Sequence, residues 1–290
     1  MTVSLPFTLP DELLIDTGIA RRIISEFIRG QLTQTGFERV VLNLSGGLDS
    51  ALVAFLAVEA IGAENVMCLM LPYRTSSPDS RADAEQVVRR LGTPSLAIDI
   101  SPIVDGYLES SIAGKEITQL RRGNLAARAR MMVAFDQSVP WRGLVIGTGN
   151  KTEALLGYST NYGDNACAFN PIGDLYKSQV RQLAIDVAVP QPILVKAPSA
   201  DLWPGQTDET EMGLAYEELD RLLYWMVDRR HSREQLIAAG FDGAAIDRVA
   251  RMVALNEFKR QVPPVAKLTT RTPGVDYLYP RRRPIPRSGG

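Results

Sequence analysis

The sequence predicts an α/β fold: a parallel sheet covered by helices on both faces, followed by a helical C-terminal part. Three observations carry that prediction. Short continuous apolar runs, of the kind that form strands buried on both faces, alternate with segments of helical periodicity through the first half of the chain. Two glycine-containing turns follow such runs directly, at the strand ends where open α/β sheets hold their ligands. Beyond Thr148 no further apolar run of that kind occurs, and helical patterns take over. With 290 residues, 45% of them hydrophobic, the chain has ample material for a buried core, which excludes disorder and a short disulfide scaffold.

Taken in order, Ile19, Ile23, Ile24, Phe27 and Leu32 recur at helical spacing from Thr17 to Leu32, and Val40 to Leu44 forms the first strand. A helix from Ser50 to Ala60, a strand from Val66 to Leu71, a helix from Asp79 to Leu91 and a strand from Ser95 to Ile98 follow. A long helix around Asn124 to Gln137 leads into a strand from Gly143 to Ile146. The segment from Gly157 to Gly173 reads as loop, and Ser178 to Val187, Glu211 to Val227, Arg233 to Ala239 and Ala244 to Phe258 read as helices. No repeat, low-complexity tract or linker interrupts the chain. One domain over 1–290 is therefore expected, with an α/β core over about 17–190, a helical part over about 191–260 and a basic, proline-punctuated tail over about 261–290.

Composition excludes several function classes. Lys and Arg number 32 against 33 Asp and Glu, so a net charge of -1 exerts no global pull toward nucleic acid or an anionic membrane. The two cysteines, Cys68 and Cys167, form no C-x-x-C pair, and the single histidine, His231, sits in a charged run. Cysteine zinc sites and multi-histidine metal sites are thereby removed, and a Ser/His/Asp triad would rest on one residue. Pro6, Pro10, Asp11 and Glu12 interrupt the start where a signal peptide needs an apolar stretch, and the apolar run Ala51 to Val58 is too short to span a bilayer. A soluble cytoplasmic protein, binding neither nucleic acid nor membrane, is the expectation.

The sharpest signal is Leu44-Ser45-Gly46-Gly47-Leu48-Asp49-Ser50, placed between a buried strand and a helix. Two glycines allow a tight turn with N–H groups facing outward, Ser45 and Ser50 add hydroxyls, and a helix N-terminus adds positive potential. That combination suits phosphate. The loop is neither a Walker A sequence nor G-x-G-x-x-G. Asp49 is anomalous in an anion cradle unless a cation lies between, and Mg²⁺ is the usual one. A tight turn with a serine cap is the structural alternative. A second constellation, Ile146-Gly147-Thr148-Gly149-Asn150-Lys151-Thr152-Glu153, again follows a strand. Asn150 and Glu153 match a capping box, which would give Glu153 a structural task. Equally, Asp49 and Glu153 both fall at strand ends on one rim of the sheet, where two carboxylates can share a Mg²⁺ ion.

These loops, together with Gly-Asn-Leu-Ala-Ala-Arg-Ala-Arg (123–130), Tyr-Gly-Asp (162–164), Asn-Pro-Ile-Gly-Asp-Leu-Tyr-Lys-Ser-Gln-Val-Arg (170–181) and Pro-Ser-Ala-Asp-Leu-Trp-Pro-Gly-Gln-Thr-Asp-Glu (198–209), resemble ammonia-dependent NAD synthetases in composition and order. The S-G-G-x-D-S loop alone would indicate only the wider N-type ATP pyrophosphatase group. The resemblance implies an adenine nucleotide alpha hydrolase-like, Rossmann-like core. It implies that Asn43, Leu44, Ser45, Gly46, Gly47, Leu48, Asp49 and Ser50 wrap the ATP phosphates, that Thr148, Lys177 and Ser199 contact ATP, and that Asp49 and Glu153 hold Mg²⁺. Asp49 and Lys177 carry the catalytic roles, and Arg128 would bind deamido-NAD. Lys177 begins a helix, an unfavourable place for a cation unless an anion faces it. The implied reaction is ATP-dependent amidation of deamido-NAD with ammonia to NAD, through an adenylated carboxylate, releasing AMP and pyrophosphate. Only about 40 residues precede the glycine loop, too few for a glutamine amidase domain, so free ammonia, or a separate partner, is the expected nitrogen source.

Three positions depart from the best-known bacterial pattern. Asn161 stands where a lysine precedes Tyr-Gly-Asp, Ala168 where an aspartate precedes the Pro-Ile stretch, and Phe258-Lys259 where a His-Lys pair is usual. Deamido-NAD is still expected at this site, with Lys259, or next Lys151, as the replacement cation and Phe258 as an apolar face for a ring. The alternatives are an NMN-forming synthetase or another amide-forming member of the same group. A non-enzymatic ATP-binding module accords poorly with keeping both Asp49 and Glu153. The resemblance also implies a two-fold homodimer with the dinucleotide site at the subunit boundary, and Leu219, Leu222, Leu223, Trp225 and Met226 exceed what one core-facing stripe needs, unless they complete the core of a single chain.

Overall fold

A computed structural model describes residues 7–111, 116–199 and 212–273 of the chain. The element order is α1 (Thr17–Thr35), β1 (Arg39–Asn43), α2 (Leu48–Ile61), β2 (Val66–Met70), α3 (Pro78–Leu91), β3 (Ser95–Ala97), α4 (Ser101–Ser111), α5 (Gln119–Trp141), β4 (Gly143–Ile146), α6 (Lys151–Leu156), α7 (Lys177–Asp186), α8 (Gln191–Val195), α9 (Tyr216–Leu223), α10 (Arg233–Ala238) and α11 (Gly243–Leu255). The four strands pair in parallel in the order β3-β2-β1-β4, with Val40 opposite Val66 on one side and Leu144 on the other. The order reverses between β1 and β4, the position where such sheets open a crevice at their carboxyl edge.

The two-residue period of the strands divides the core. Val40, Leu42, Val66 and Cys68 face α1, α2 and α7, whereas Val41, Leu69 and Val145 face α4 and α5. A third cluster joins Leu156 and Tyr176 to α9, α10 and α11 through Leu219, Leu222, Leu236, Ile246 and Val249. Helix starts follow local chemistry: Asp16 caps α1, Ser77 and Pro78 open α3, Thr118 caps α5, and Asp242 caps α11. Among the described residues no helix is long and apolar enough to cross a membrane.

Several elements differ from the sequence reading. The sequence pattern does not predict α4, which forms because Val104 and Leu108, one turn apart, are buried against the second cluster, and this outweighs Gly106. α5 starts earlier and ends later than its apolar pattern. The helix read as Glu211 to Val227 is α9 followed by a π-helical turn, Tyr224–Asp228, and Glu211 lies outside the described residues. α11 stops at Leu255 because the Asn256 side chain turns back to the carbonyls of Leu156 and Met252. The sheet also extends past β4, since Phe169 bridges Ile146 in parallel within the segment read as loop. The basic tail around Arg281 lies outside the described residues.

The excess of apolar residues in the late helices has a different cause from the one expected. Leu219, Leu222 and Leu223 are buried inside the third cluster, with Trp225 and Met226 packed against it, so they complete the core of one chain. Exposed apolar stripes occur instead on α1, at Ile19, Ile23 and Phe27, and on α5, at Met132, Phe135 and Val139.

Candidate nucleotide site

At the carboxyl edge of β1 the chain turns through Ser45, Gly46 and Gly47 into α2. Gly46 has φ +83°, and a Cβ there would lie 2.0 Å from the Ser80 carbonyl oxygen of α3, so this position needs glycine on both counts. The serines close the loop on itself. Ser50 Oγ accepts from Ser45 N at 3.2 Å and donates to the Gly47 carbonyl at 3.0 Å, while Ser45 Oγ accepts from Gly47 N at 3.2 Å. Gly47, immediately before α2, supplies no capping side chain, so the first turn of α2 reaches the cavity wall without one.

Asp49, in that first turn, meets residues 101 and 128 positions away. Its Oδ1 accepts from Asn150 Nδ2 at 3.0 Å, and its Oδ2 pairs closely with Lys177 Nζ. Lys177 Nζ also lies 3.9 Å from Glu153 Oε1. The capping box is formed as well: Glu153 N donates to Asn150 Oδ1 at 2.9 Å, and Asn150 N to Glu153 Oε2 at 3.3 Å. The two readings of Glu153 are thus compatible, because one oxygen serves the cap and the other faces Lys177. Lys177 is 3% exposed, its ammonium held among carboxylates and 5.4 Å from the Tyr216 ring centre.

Behind these groups lies a carboxylate that the sequence reading did not single out. Asp220 on α9 is fully buried. Its Oδ1 accepts from Thr152 Oγ1 at 2.5 Å, and its Oδ2 accepts from Ser178 N and Ser178 Oγ, each at 2.7 Å. Burial pushes its carboxyl up, while the hydrogen bonds from Thr152 and Ser178 and the charge of Arg181 oppose that rise. No motif spacing links 152, 178 and 220. Their convergence is a tertiary result.

The resulting cavity has a volume of about 580 Å³ and runs from the glycine loop to Thr148, Ser199 and the C-terminal end of β2. Asn43, Leu44, Ser45, Gly47, Leu48, Asp49, Ser50, Thr148, Glu153, Lys177 and Ser199 line it, while Gly46 turns toward α3. Arg130, whose Nε donates to the Leu71 carbonyl at 3.0 Å, and Asp164 also line it and were not singled out. Asp164 opens on the cavity but is enclosed by protein behind. That desolvation raises its carboxyl, against the Thr160 N–H bond that lowers it.

The residues assigned to the second substrate do not line this cavity. Arg128 Nε donates to the Asn161 carbonyl at 3.2 Å, Ala168 is exposed beside β4 with its N–H on the Val145 carbonyl, and Phe258 is 61% exposed. Lys259 has backbone partners here. Its Nζ donates to the carbonyls of Gly157 at 2.6 Å and Ser159 at 2.8 Å, so it fastens the 157–159 loop, and burial lowers its pKa.

The donor set suits a hard cation. Asp49 and Glu153 offer carboxylate oxygens on either side of Lys177, and among the described residues no group of three or more His, Cys, Asp or Glu side chains converges. Two carboxylates with no nitrogen or sulfur ligand match Mg²⁺ completed by substrate phosphate and water, not a caged structural ion.

A profile of the NAD synthase family matches residues 20–263. The chain is 47% identical over 272 residues to the NH(3)-dependent NAD(+) synthetase of Chlorobaculum tepidum, covering 94% of this chain and 97% of that one. It is 48% identical over 269 residues to the protein of the same name from Trichlorobacter lovleyi, covering 93% and 97%. Among solved structures, the NH3-dependent NAD synthetase of Campylobacter jejuni superposes with a TM-score of 0.74 at 33% identity over 87% of this chain and all of that one. The NMN synthetase of Francisella tularensis superposes with a TM-score of 0.77 at 31% identity, covering 87% and 99%.

Proposed function

We propose a function on the premise that this chain belongs to the NAD synthase family: it is a carbon–nitrogen ligase that converts deamido-NAD and ammonia to NAD at the cost of ATP. A carboxylate is a poor electrophile. Attack of the nicotinate carboxylate on the α-phosphorus of ATP expels pyrophosphate and leaves an acyl adenylate, from which ammonia displaces AMP. No protein nucleophile is needed. Catalysis then consists of holding two anions in line and stabilising the negative charge gathering on pyrophosphate.

The observation that carries this reading is the placement of the buried Lys177 ammonium against Asp49, within 3.9 Å of Glu153, beside the glycine loop. The first-turn N–H groups of α2, with Ser45 and Ser50, receive the phosphates. Lys177 turns from the carboxylates to the leaving pyrophosphate. Asp49 and Glu153 would hold Mg²⁺, which neutralises phosphate charge when bound. Asn150 keeps Asp49 oriented, and Thr148 and Ser199 complete the nucleotide wall. Arg128, Asn161, Ala168, Phe258 and Lys259 form the dinucleotide side. There Arg128 and Lys259 shape the 157–161 loop, and Phe258 offers an exposed ring face.

The same reading treats the chain as one synthetase domain working as a homodimer in the cytoplasm, where ATP is at hand. Arg128 lies on the α5 face that carries Met132, Phe135 and Val139, which puts the dinucleotide side next to the exposed stripe. One alternative has an observation in its favour: the departures at Asn161, Ala168 and Phe258, with the likeness to an NMN synthetase, fit amidation of nicotinate mononucleotide. The experiment is incubation with ATP, Mg²⁺, ammonium and either acid, followed by identification of the amide. NAD formed at the higher kcat/KM supports the proposal. A preference for nicotinate mononucleotide overturns it in favour of the alternative.

A further inference from the structure

We propose that Asp220 is a positioning residue for this reaction: from behind the cavity its carboxylate sets the first turns of α6 and α7 so that Glu153 and Lys177 face Asp49. The inference rests on the reading of Lys177 and Glu153 as groups that meet ATP and its metal. Tyr176, which precedes α7, offers no side-chain acceptor to the turn that follows. The first two N–H groups of that helix are instead satisfied from other elements. Lys177 N donates to Thr152 Oγ1 at 3.0 Å, and Ser178 N to Asp220 Oδ2 at 2.7 Å. Thr152 Oγ1 in turn donates a hydrogen bond to Asp220 Oδ1 at 2.5 Å, so one carboxylate caps α7 directly and, through Thr152, ties it to α6.

The bonded residues and the cavity residues are sequence neighbours: Thr152 precedes Glu153, and Lys177 precedes Ser178. Any rotation of either first turn that breaks the bonds to Asp220 therefore moves Glu153 or Lys177 relative to Asp49. The cap is also unusually expensive in form, being a fully buried charge at a place where a local serine or asparagine before the helix would serve stability. What a remote carboxylate adds is a fixed relation between two helices.

The test uses the full-length enzyme with Asp220→Asn, Thr152→Val and Thr152→Ser, and Lys177→Ala as reference, each checked for folding by circular dichroism and elution volume. In Asp220→Asn one acceptor oxygen becomes an amide N–H, so either a donor is opposed or a hydroxyl must turn its proton away and the bond it gave Asp220 is lost. We expect kcat/KM for ATP to fall by about 10–100-fold, as for other outer partners of charged site groups, with KM for deamido-NAD within about twofold. Thr152→Val should show the same selective loss, and Thr152→Ser, which keeps the hydroxyl, should recover most of it. A folded Asp220→Asn with ATP kinetics within about threefold of wild type overturns the proposal, as does an equal loss toward both substrates. If Asp220→Asn fails to fold, Thr152→Val decides, and ATP kinetics equal to those of Thr152→Ser overturn the inference. Unchanged ATP kinetics in Lys177→Ala would instead overturn the underlying site assignment.

Discussion

Gly46 shows how tightly single residues are constrained at this site. Its left-handed backbone and its contact with the Ser80 carbonyl leave no room for a methyl group, so Gly46→Ala should strain the loop and push it from α3. The expected cost is about 1–3 kcal/mol of stability, read as a lowered Tm, with a larger proportional loss of ATP-dependent rate because the displaced loop is the one that meets phosphate. Asp49 is constrained by charge. Asp49→Asn keeps the shape but removes the anion that faces Lys177 and would hold the metal, so amide formation should drop by at least about a hundredfold, while circular dichroism remains that of wild type. Activity within threefold of wild type would overturn the role given to Asp49.

At the scale of elements, what sequence made legible was whatever depends on neighbours along the chain. The buried strands, the glycine loop at the end of β1 and the Asn150–Glu153 cap were readable because each rests on a short pattern of period or cap. α4 was not readable, since its helical state comes from Val104 and Leu108 meeting a core assembled from distant strands, and the bridge of Phe169 to Ile146 was missed for the same reason. The pairing of Asn150 with Asp49 and the bonds of Asp220 join residues that no spacing relates. Lys259 illustrates the limit most plainly: its charge was visible, but not that two loop carbonyls would occupy it. That loop continues to Asn161, whose carbonyl receives Arg128. Lys259→Ala should therefore release the 157–161 segment and raise KM for deamido-NAD by about tenfold, much more than KM for ATP, whose cavity Tyr158, Ser159 and Thr160 of the same segment also line. Equal changes in both constants would count against a dinucleotide role for this segment.

Across the whole molecule, the distribution of apolar surface decides where a second copy would dock. The late helices bury their leucines within the chain, so Leu222→Ala should lower stability by about 2–5 kcal/mol and leave the oligomeric state unchanged. Among the described residues the stripes on α1 and α5 stay largely exposed. Both flank the edge of the sheet beyond β4: Phe27 of α1 meets Phe169 edge-on with ring centres 6.0 Å apart, and α5 covers β4. Single exposed apolar residues need no explanation, but Ile19, Ile23 and Phe27, spaced four apart, form a continuous helical face, and so do Met132, Phe135 and Val139. A two-fold dimer that buries these faces would bring Arg128, on the same face of α5, to the boundary between copies. Ile23→Glu and Phe135→Glu should each convert the protein from twice the chain mass to the chain mass in sedimentation at micromolar concentration. Because Arg128 lies on that face and Lys177 does not, the monomeric variants should lose more affinity for deamido-NAD than for ATP. Wild-type protein sedimenting only at the chain mass, or variants that weaken both substrates equally, would show that these stripes do not form the dimer face.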